Sequence, residues 1–258
     1  KQDGGDIELV DVVGNRVLRI RQRGDTLAYA GAPEAFIIDY FSLDTDLEAV
    51  LASIDTDPFM HACIARSRGL RLIRQPPWEC TISYICSTNS NIPTIRRRIA
   101  AIAERFGRPL RSGGRTYHAF PEPPAICAGG REGVAACRLG YRDSYVFCTS
   151  GFITDENAWE QTIRGMSYAD ARKELTRLNG VGPKAADCIL LFAFQKFEAF
   201  PVDVWIRRII QRHYLPDLDI GSPLSTREYK RIRNFALKHF GKYCGYAQEY
   251  LYAGRGLP

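Results

Sequence analysis

The chain has 258 residues, 45% hydrophobic and 25% charged, which is ordinary globular composition and enough for one large domain or two small ones. No apolar run is long enough to suggest a membrane-spanning helix, and no repeat or low-complexity tract is present. Net charge is +6 and unevenly placed: residues 1–60 carry 5 basic and 12 acidic side chains, the rest 30 and 17, a distribution that suits a polyanion bound by one part of the molecule.

In chain order, residues 7–40 read as strands. I-E-L-V-D-V-V, R-V-L-R-I-R-Q and T-L-A-Y-A are short and β-branched, broken at Gly14-Asn15 and Gly24-Asp25, and they predict an antiparallel sheet with tight hairpins. Phe36–Tyr40 is read as a further strand. From Asp44 the period becomes helical, with Leu47, Val50 and Leu51 on one face and a second helix over Phe59–Ala65. Pro76 and Pro77 start a helix whose apolar face is Trp78, Ile82, Ile85 and Cys86. A polar run, Ser87–Asn91, precedes a basic helix over Ile92–Phe106. Pro121–Pro124 and Gly129-Gly130 are read as loops. Of the eight cysteines none forms a C-x-x-C pair, so an intracellular protein with neither disulfide framework nor zinc site is expected.

The stretch most loaded with chemistry is Leu178–Arg208. Gly180 and Gly182 flank Val181 in a hairpin able to approach another surface closely, and Pro183 suits the first position of a following helix. The first-turn amides of such a helix are anion-binding donors, fit to grip a nucleic-acid phosphate. The helix is apolar almost all round from Ala185 to Phe194, hence buried. It carries Lys184 in its first turn, where the dipole and burial both disfavour the ammonium and favour a nucleophilic amine. Cys188 and Phe192 follow on the same face. After the turn at Phe200-Pro201, Asp203 opens the next helix. Singly, Lys184 is a surface lysine and Asp203 an N-capping residue. Joined by a buried helix, they read as a nucleophile and the carboxylate that serves it.

G-V-G-P-K-A-A-D-C with F-P-V-D-V resembles the helix-hairpin-helix, Gly/Pro-Asp superfamily of base-excision DNA glycosylases. A second set of motifs, G-L-R-L-I-R-Q-x-P-W-E-C, S-Y-I-C-S-T-N-S-N-I, T-Y-H-A-F-P, L-G-Y-R-D-S-Y and Y-A-Q-E-Y-L-Y, is similar to one branch of it, the 8-oxoguanine DNA N-glycosylase/AP lyases, over roughly Gly69 to Tyr252. The resemblance implies an α+β fold, a small N-terminal antiparallel sheet region (residues 1–66, read as incomplete at its start) followed by a mostly helical, two-lobed glycosylase body (67–258).

It also implies roles. Lys184 is the Schiff-base nucleophile and Asp203 assists it. Cys188, Phe192 and Tyr252 form the base pocket and Gln248 reads the base edge; a flipped base needs such stacking and edge contacts. Asn89 fills the vacated space, Tyr141 is a wedge, and Arg142 donates to the orphaned cytosine. Gly180, Val181 and Gly182 hold DNA, and a monovalent cation could sit on carbonyls of Thr176, Leu178 and Val181. No redox cofactor or catalytic metal is implied. The partner is double-stranded DNA containing 8-oxoguanine, preferably opposite cytosine, and a monomer with no membrane association is expected. The location is intracellular and DNA-associated, the nucleus in a eukaryote or the cytoplasm and nucleoid in a prokaryote. The alternatives are a glycosylase for another damaged base and a non-catalytic DNA-binding module.

Three departures stand out. Thr94 occupies the position of a second arginine, and Trp205 that of a histidine near the lesion phosphate. The family's Gly-Gln-aromatic-Arg-Trp stretch, which distinguishes 8-oxoguanine from guanine, is expected just ahead of residues like Lys1-Gln2-Asp3.

Overall fold

The computed structural model describes residues 8–156 and 158–257. Lys1-Gln2-Asp3 and Ile7, the first residue of the expected strand region, lie outside the described residues. Two compact units are interleaved along the chain: residues 8–40, 76–160 and 178–180 form the first, and 41–75, 161–177 and 181–257 the second. The expected boundary between 66 and 67 coincides with neither, because the helical body contributes long segments to both units.

The first unit begins with the antiparallel sheet β1 (Glu8–Val13), β2 (Arg16–Arg23) and β3 (Thr26–Ala30), in that order. Val13 pairs with Arg16 and Arg23 with Thr26, so both hairpins have two-residue turns, with Gly14 and Gly24 in the left-handed region. β2 alternates: Leu18 and Ile20 are buried while the neighbouring arginines lean toward solvent, and Arg19 pairs with Glu8 at 3.1 Å. Phe36–Tyr40 is not a strand but part of helix α1 (Glu34–Tyr40). Phe36 and Tyr40 stack one helical turn apart, ring centroids 5.8 Å, and Ile37 alone is buried; the apolar run follows helical spacing rather than alternation.

α4 (Pro77–Ser87) buries Trp78, Ile82, Ile85 and Cys86, and the Trp78 indole donates to the Pro121 carbonyl at 2.8 Å. α5 (Ile92–Phe106) is capped by Asn91, which accepts from Thr94 N–H at 3.0 Å, and buries Ile102. β4 (Pro109–Ser112) and β5 (Arg115–His118) form a hairpin about Gly113-Gly114. The segments read as loops hold two short helices, α6 (Pro123–Ala128) and α7 (Gly130–Ala135). Pro123 and Pro124 sit in the first turn, where a missing N–H costs no helical hydrogen bond. α8 (Arg142–Asp155) completes this unit.

In the second unit, α2 (Leu47–Ile54) and α3 (Pro58–Arg66) are capped by Asp46 and Asp57. α9 (Trp159–Gly165) enters from the first unit, and α10 (Tyr168–Leu175) leads to the hairpin. α11 (Pro183–Phe192), α12 (Val204–His213), α13 (Thr226–Phe240), a 3-10 turn (Gly241–Tyr243) and α14 (Cys244–Ala253) follow. Their core includes Ile206, Ile210, Phe240, Tyr246 and Tyr250, all fully buried. α11 buries every residue from Ala185 to Leu191, as its apolar circumference requires.

Candidate active site

The hairpin is shared between the units. Gly180, in the first, has φ of +83°, and a Cβ there would stand 2.7 Å from the Tyr145 ring, so only glycine makes this approach without displacing α8. Thr149 on α8 also donates to the Asn179 carbonyl at 3.1 Å. In the second unit, Val181 is buried while Gly182 and Pro183 are exposed, and α11 opens with extended Gly182 as its cap. The positive pole of a buried helix thus faces outward.

Lys184 is partly exposed in the first turn of α11. It lines a cavity of about 590 Å³ together with Arg172, Lys230 and Arg233, and no carboxylate is among the lining residues. Asp203 is half-buried and caps α12, accepting from Ile206 N–H at 2.8 Å. Its negative charge is also felt by a residue in the same unit, Glu249. Burial pushes the Glu249 carboxyl up to about 7; Asp203 adds to the rise, while a hydrogen bond from Gln248 and the Lys184 charge oppose it.

α14 carries the expected base reader. Gln248 is 5% exposed, and its Oε1 is buried with no hydrogen-bond partner. A buried orphaned acceptor costs about 1–3 kcal/mol and is satisfied by any ligand presenting an N–H there. Tyr252 lies one turn further on, half-buried, with the Arg255 guanidinium 4.4 Å from its ring centre. On α11, Cys188 is buried and Phe192 partly so. Of the carbonyls named for a cation, Thr176 and Val181 belong to the second unit and Leu178 to the first. Among the described residues no three His, Cys, Asp or Glu side chains cluster as metal ligands.

The three residues expected at the orphaned base come together in the first unit. Asn89 is exposed, with φ of +48°, and Tyr141 is 53% exposed. Asn89 Nδ2 donates to Tyr141 Oη at 3.5 Å. Arg142 is only 3% exposed and turned inward: it donates to the carbonyls of Thr88 and Leu139 and to Tyr141 Oη at 3.0 Å, with its guanidinium 4.2 Å from the Tyr141 ring centre. Here Arg142 braces the Thr88-Asn89 turn and the Tyr141 ring. Thr94, in the first turn of α5, accepts from Arg97 at 3.1 Å. Trp205 is 45% exposed, with Arg208 over its ring.

Two acidic residues escaped the sequence reading. Asp187, fully buried on α11, accepts from Tyr168 Oη at 2.6 Å, Tyr229 Oη at 2.7 Å and Arg172 Nε at 2.8 Å, with Arg233 Nε 3.5 Å away. It ties α10 and α13 to the helix that carries Lys184. An aspartate amid the apolar residues of a buried helix was the available signal, since a buried carboxylate must find cations. Glu249 had no local signal.

This architecture, a small antiparallel sheet and a helical body with a glycine hairpin ahead of a buried helix, is that of the helix-hairpin-helix DNA glycosylases. The 3-methyladenine DNA glycosylase of Archaeoglobus fulgidus shares the fold at 20% identity, with a TM-score of 0.76 over 99% of this chain and 89% of that one. Residues 2–81 match the family model of the 8-oxoguanine DNA glycosylase N-terminal domain. A probable N-glycosylase/DNA lyase of Methanothermobacter thermautotrophicus is 35% identical over 92% of this chain and 78% of its own length. The 8-oxoguanine glycosylase/lyase of Clostridium acetobutylicum, solved with DNA carrying cytosine opposite 8-oxoguanine, is 29% identical, with a TM-score of 0.86 over 98% of this chain and 85% of that one. The chain belongs to the N-glycosylase/DNA lyase family of 8-oxoguanine DNA glycosylases.

Proposed function

We propose that this protein excises 8-oxoguanine from duplex DNA and then cuts the strand at the abasic site, as a bifunctional glycosylase and lyase of base excision repair. The observation that carries the reading is the arrangement of the second unit: Lys184 at the open end of a buried helix, Asp203 capping the next, and Gln248 with an orphaned acceptor. The lone pair of Lys184 Nζ attacks C1′ and the C1′–N9 bond breaks, its electron pair leaving with the base, which takes up a proton. The amine loses a proton, C1′–O4′ opens, O4′ is protonated, and an iminium remains. Loss of the C2′ proton then expels the 3′ phosphate by cleavage of the C3′–O bond. The Asp203 carboxylate stabilises positive charge as it develops at the sugar.

Cys188, Phe192 and Tyr252 stack on the flipped base and Gln248 accepts from its edge. Asn89, Tyr141 and Arg142 serve the orphaned partner, with cytosine preferred. Gly180, Val181 and Gly182 hold a phosphate, and the cations beside Lys184 suit the phosphodiester backbone. The protein acts as a monomer on DNA inside the cell. Borohydride trapping on duplex DNA containing 8-oxoguanine is the test. Lys184→Gln is expected to bind this DNA with wild-type affinity yet release no base and trap no adduct; a normal yield of adduct in the variant would assign the nucleophile elsewhere.

A further inference from the structure

We propose, on the reading of Lys184 as the residue that meets the sugar of a DNA strand, that the cavity beside the first turn of α11 is a phosphate-binding subsite. It is built on the buried Asp187 and is a different space from the one assigned to the flipped base. The cavity, about 590 Å³, lies wholly within the second unit, and Arg172, Lys184, Thr226, Lys230, Arg233 and Asn234 are among its walls. None of Cys188, Phe192, Gln248 and Tyr252 lines it. Its charge is unbalanced. Asp187 accepts from Arg172 Nε at 2.8 Å, and Arg233 Nε stands 3.5 Å from the other carboxylate oxygen, buried and without a hydrogen bond. Tyr168 and Tyr229 donate to the same carboxylate at 2.6 and 2.7 Å. Each ring is covered by a guanidinium, Tyr168 by Arg233 at 5.0 Å and Tyr229 by Arg172 at 5.7 Å.

One carboxylate and two phenols thus hold two guanidiniums in place, and one positive charge is left over in a largely buried setting. An uncompensated charge there is costly, and an anion removes the cost. No hydrogen bond from a terminal Nη of either arginine occurs among the described residues, so those donors remain for a ligand. No carboxylate is among the described lining residues, and Lys230, exposed and in no ion pair among the described residues, adds a third cation. α13 starts at the same wall: Ser225 Oγ accepts from Glu228 N–H at 3.2 Å, which leaves the first-turn amides of Thr226 and Arg227 for an anion. Planar guanidiniums fixed in this way match phosphate oxygens two at a time. Every sugar within a strand carries a phosphate on both sides, so a strand whose C1′ meets Lys184 brings a phosphate to this wall. The volume is that of a small-molecule site and admits the phosphate with its adjoining sugar. Two phosphates share this chemistry: a diester within the strand, and the 5′-phosphate that strand cleavage leaves on the downstream fragment.

The test measures binding to duplexes that carry a tetrahydrofuran abasic analogue and a single methylphosphonate, which removes one phosphate charge, moved along the analogue strand. Wild type is expected to lose roughly ten-fold in affinity at one position next to the analogue, the scale of one charged hydrogen bond. In Lys230→Ala and in Asn234→Asp, which sets a carboxylate on the cavity wall, that sensitivity should shrink while the effects at other positions persist. Both residues are exposed, so both variants should melt as wild type does. Lys230→Ala should also lower the slope of log Kd against log salt by about one. A second pair of duplexes, nicked 3′ to the analogue and ending in a 5′-phosphate or a 5′-hydroxyl, separates the two sources. A preference for the 5′-phosphate that Lys230→Ala abolishes assigns the subsite to the cleaved end; coupling of Lys230 to an internal methylphosphonate assigns it to the continuous backbone. If Lys230→Ala and Asn234→Asp change neither the methylphosphonate pattern nor the preference for a 5′-phosphate, the cavity holds no phosphate, even where 8-oxoguanine excision stands. Coupling in a wild-type protein that traps no adduct on 8-oxoguanine DNA would instead sink the proposed function and leave the subsite.

Discussion

Asp187→Asn tests whether a buried ion cluster holds in place the helix that carries Lys184. Asp187 has no solvent exposure and accepts three hydrogen bonds of 2.6–2.8 Å, one from a guanidinium, with a second guanidinium 3.5 Å away. Its negative charge raises the pKa of Tyr168 and of Tyr229, adding to the effect of their burial, so both phenols remain donors at any working pH. Asparagine keeps the shape, can still accept from the tyrosines, and removes the charge. Arg172 and Arg233, both largely buried, then lack their counter-ion. Removing one partner of a buried pair costs about 3–5 kcal/mol, a large share of the ~5–15 kcal/mol that holds a typical domain folded. At roughly 2–4 °C per kcal/mol for a chain of this size, the expected fall in Tm is about 10 °C. Denaturant unfolding with the slope compared between variants is the assay, paired with borohydride trapping below the transition, since Asp187 lies one turn along α11 from Lys184. A loss under about 1 kcal/mol would refute the argument that the cluster is held by charge. The pair Asp187→Leu with Arg172→Met is expected to lose less than the sum of the single changes, and simple additivity would contradict the coupling.

Asp203→Asn is expected to slow excision by orders of magnitude while DNA affinity is retained, because the lost charge acts mainly on the transition state. The amide still accepts from Ile206 N–H, so Tm should change little, and wild-type cutting would leave Asp203 as a helix cap alone. Arg142→Ala should erase preference for cytosine and also loosen the Thr88-Asn89 turn; Thr94→Arg should sharpen the preference by about 1–3 kcal/mol. Single-turnover excision opposite each of the four bases measures this, and equal wild-type rates would remove Arg142 from the role. Glu79 is raised to about 7, first by burial and then by Asp11, so the stability it contributes is present below pH ~4.5 and lost as pH rises through 7. Glu79→Gln should therefore be more stable than wild type above pH 7, by at most about 3 kcal/mol, with the difference vanishing in acid. Thermal melts across this range decide it, and a constant difference would refute the linkage.

Features specified by near neighbours were legible in the sequence. The two-residue hairpins at Gly14-Asn15 and Gly24-Asp25, the helices that open after Pro76 and after Asn91, and the glycine hairpin before a buried helix all appear where local rules place them. Lys184 and Asp203 were singled out from the hairpin, the buried helix and the turn that join them, whereas Gln248 came only from the resemblance to a family motif. β propensity failed at one short apolar run, where helical spacing decided. The run Phe36–Tyr40 satisfies β propensity, yet stacking of Phe36 on Tyr40 and the burial of Ile37 make it a helix. The sequence by itself indicated the three-stranded hairpin sheet, several of the helices, and a lysine and an aspartate suited to act as a nucleophile and its helper. Only the tertiary structure decided that Asp187 is buried between two arginines, that Arg142 faces protein carbonyls, and that Glu249 shares the surroundings of Asp203, 46 positions earlier in the chain. Charge and hydrogen-bond energies depend on distance and burial in space, and neither is a function of separation along the chain.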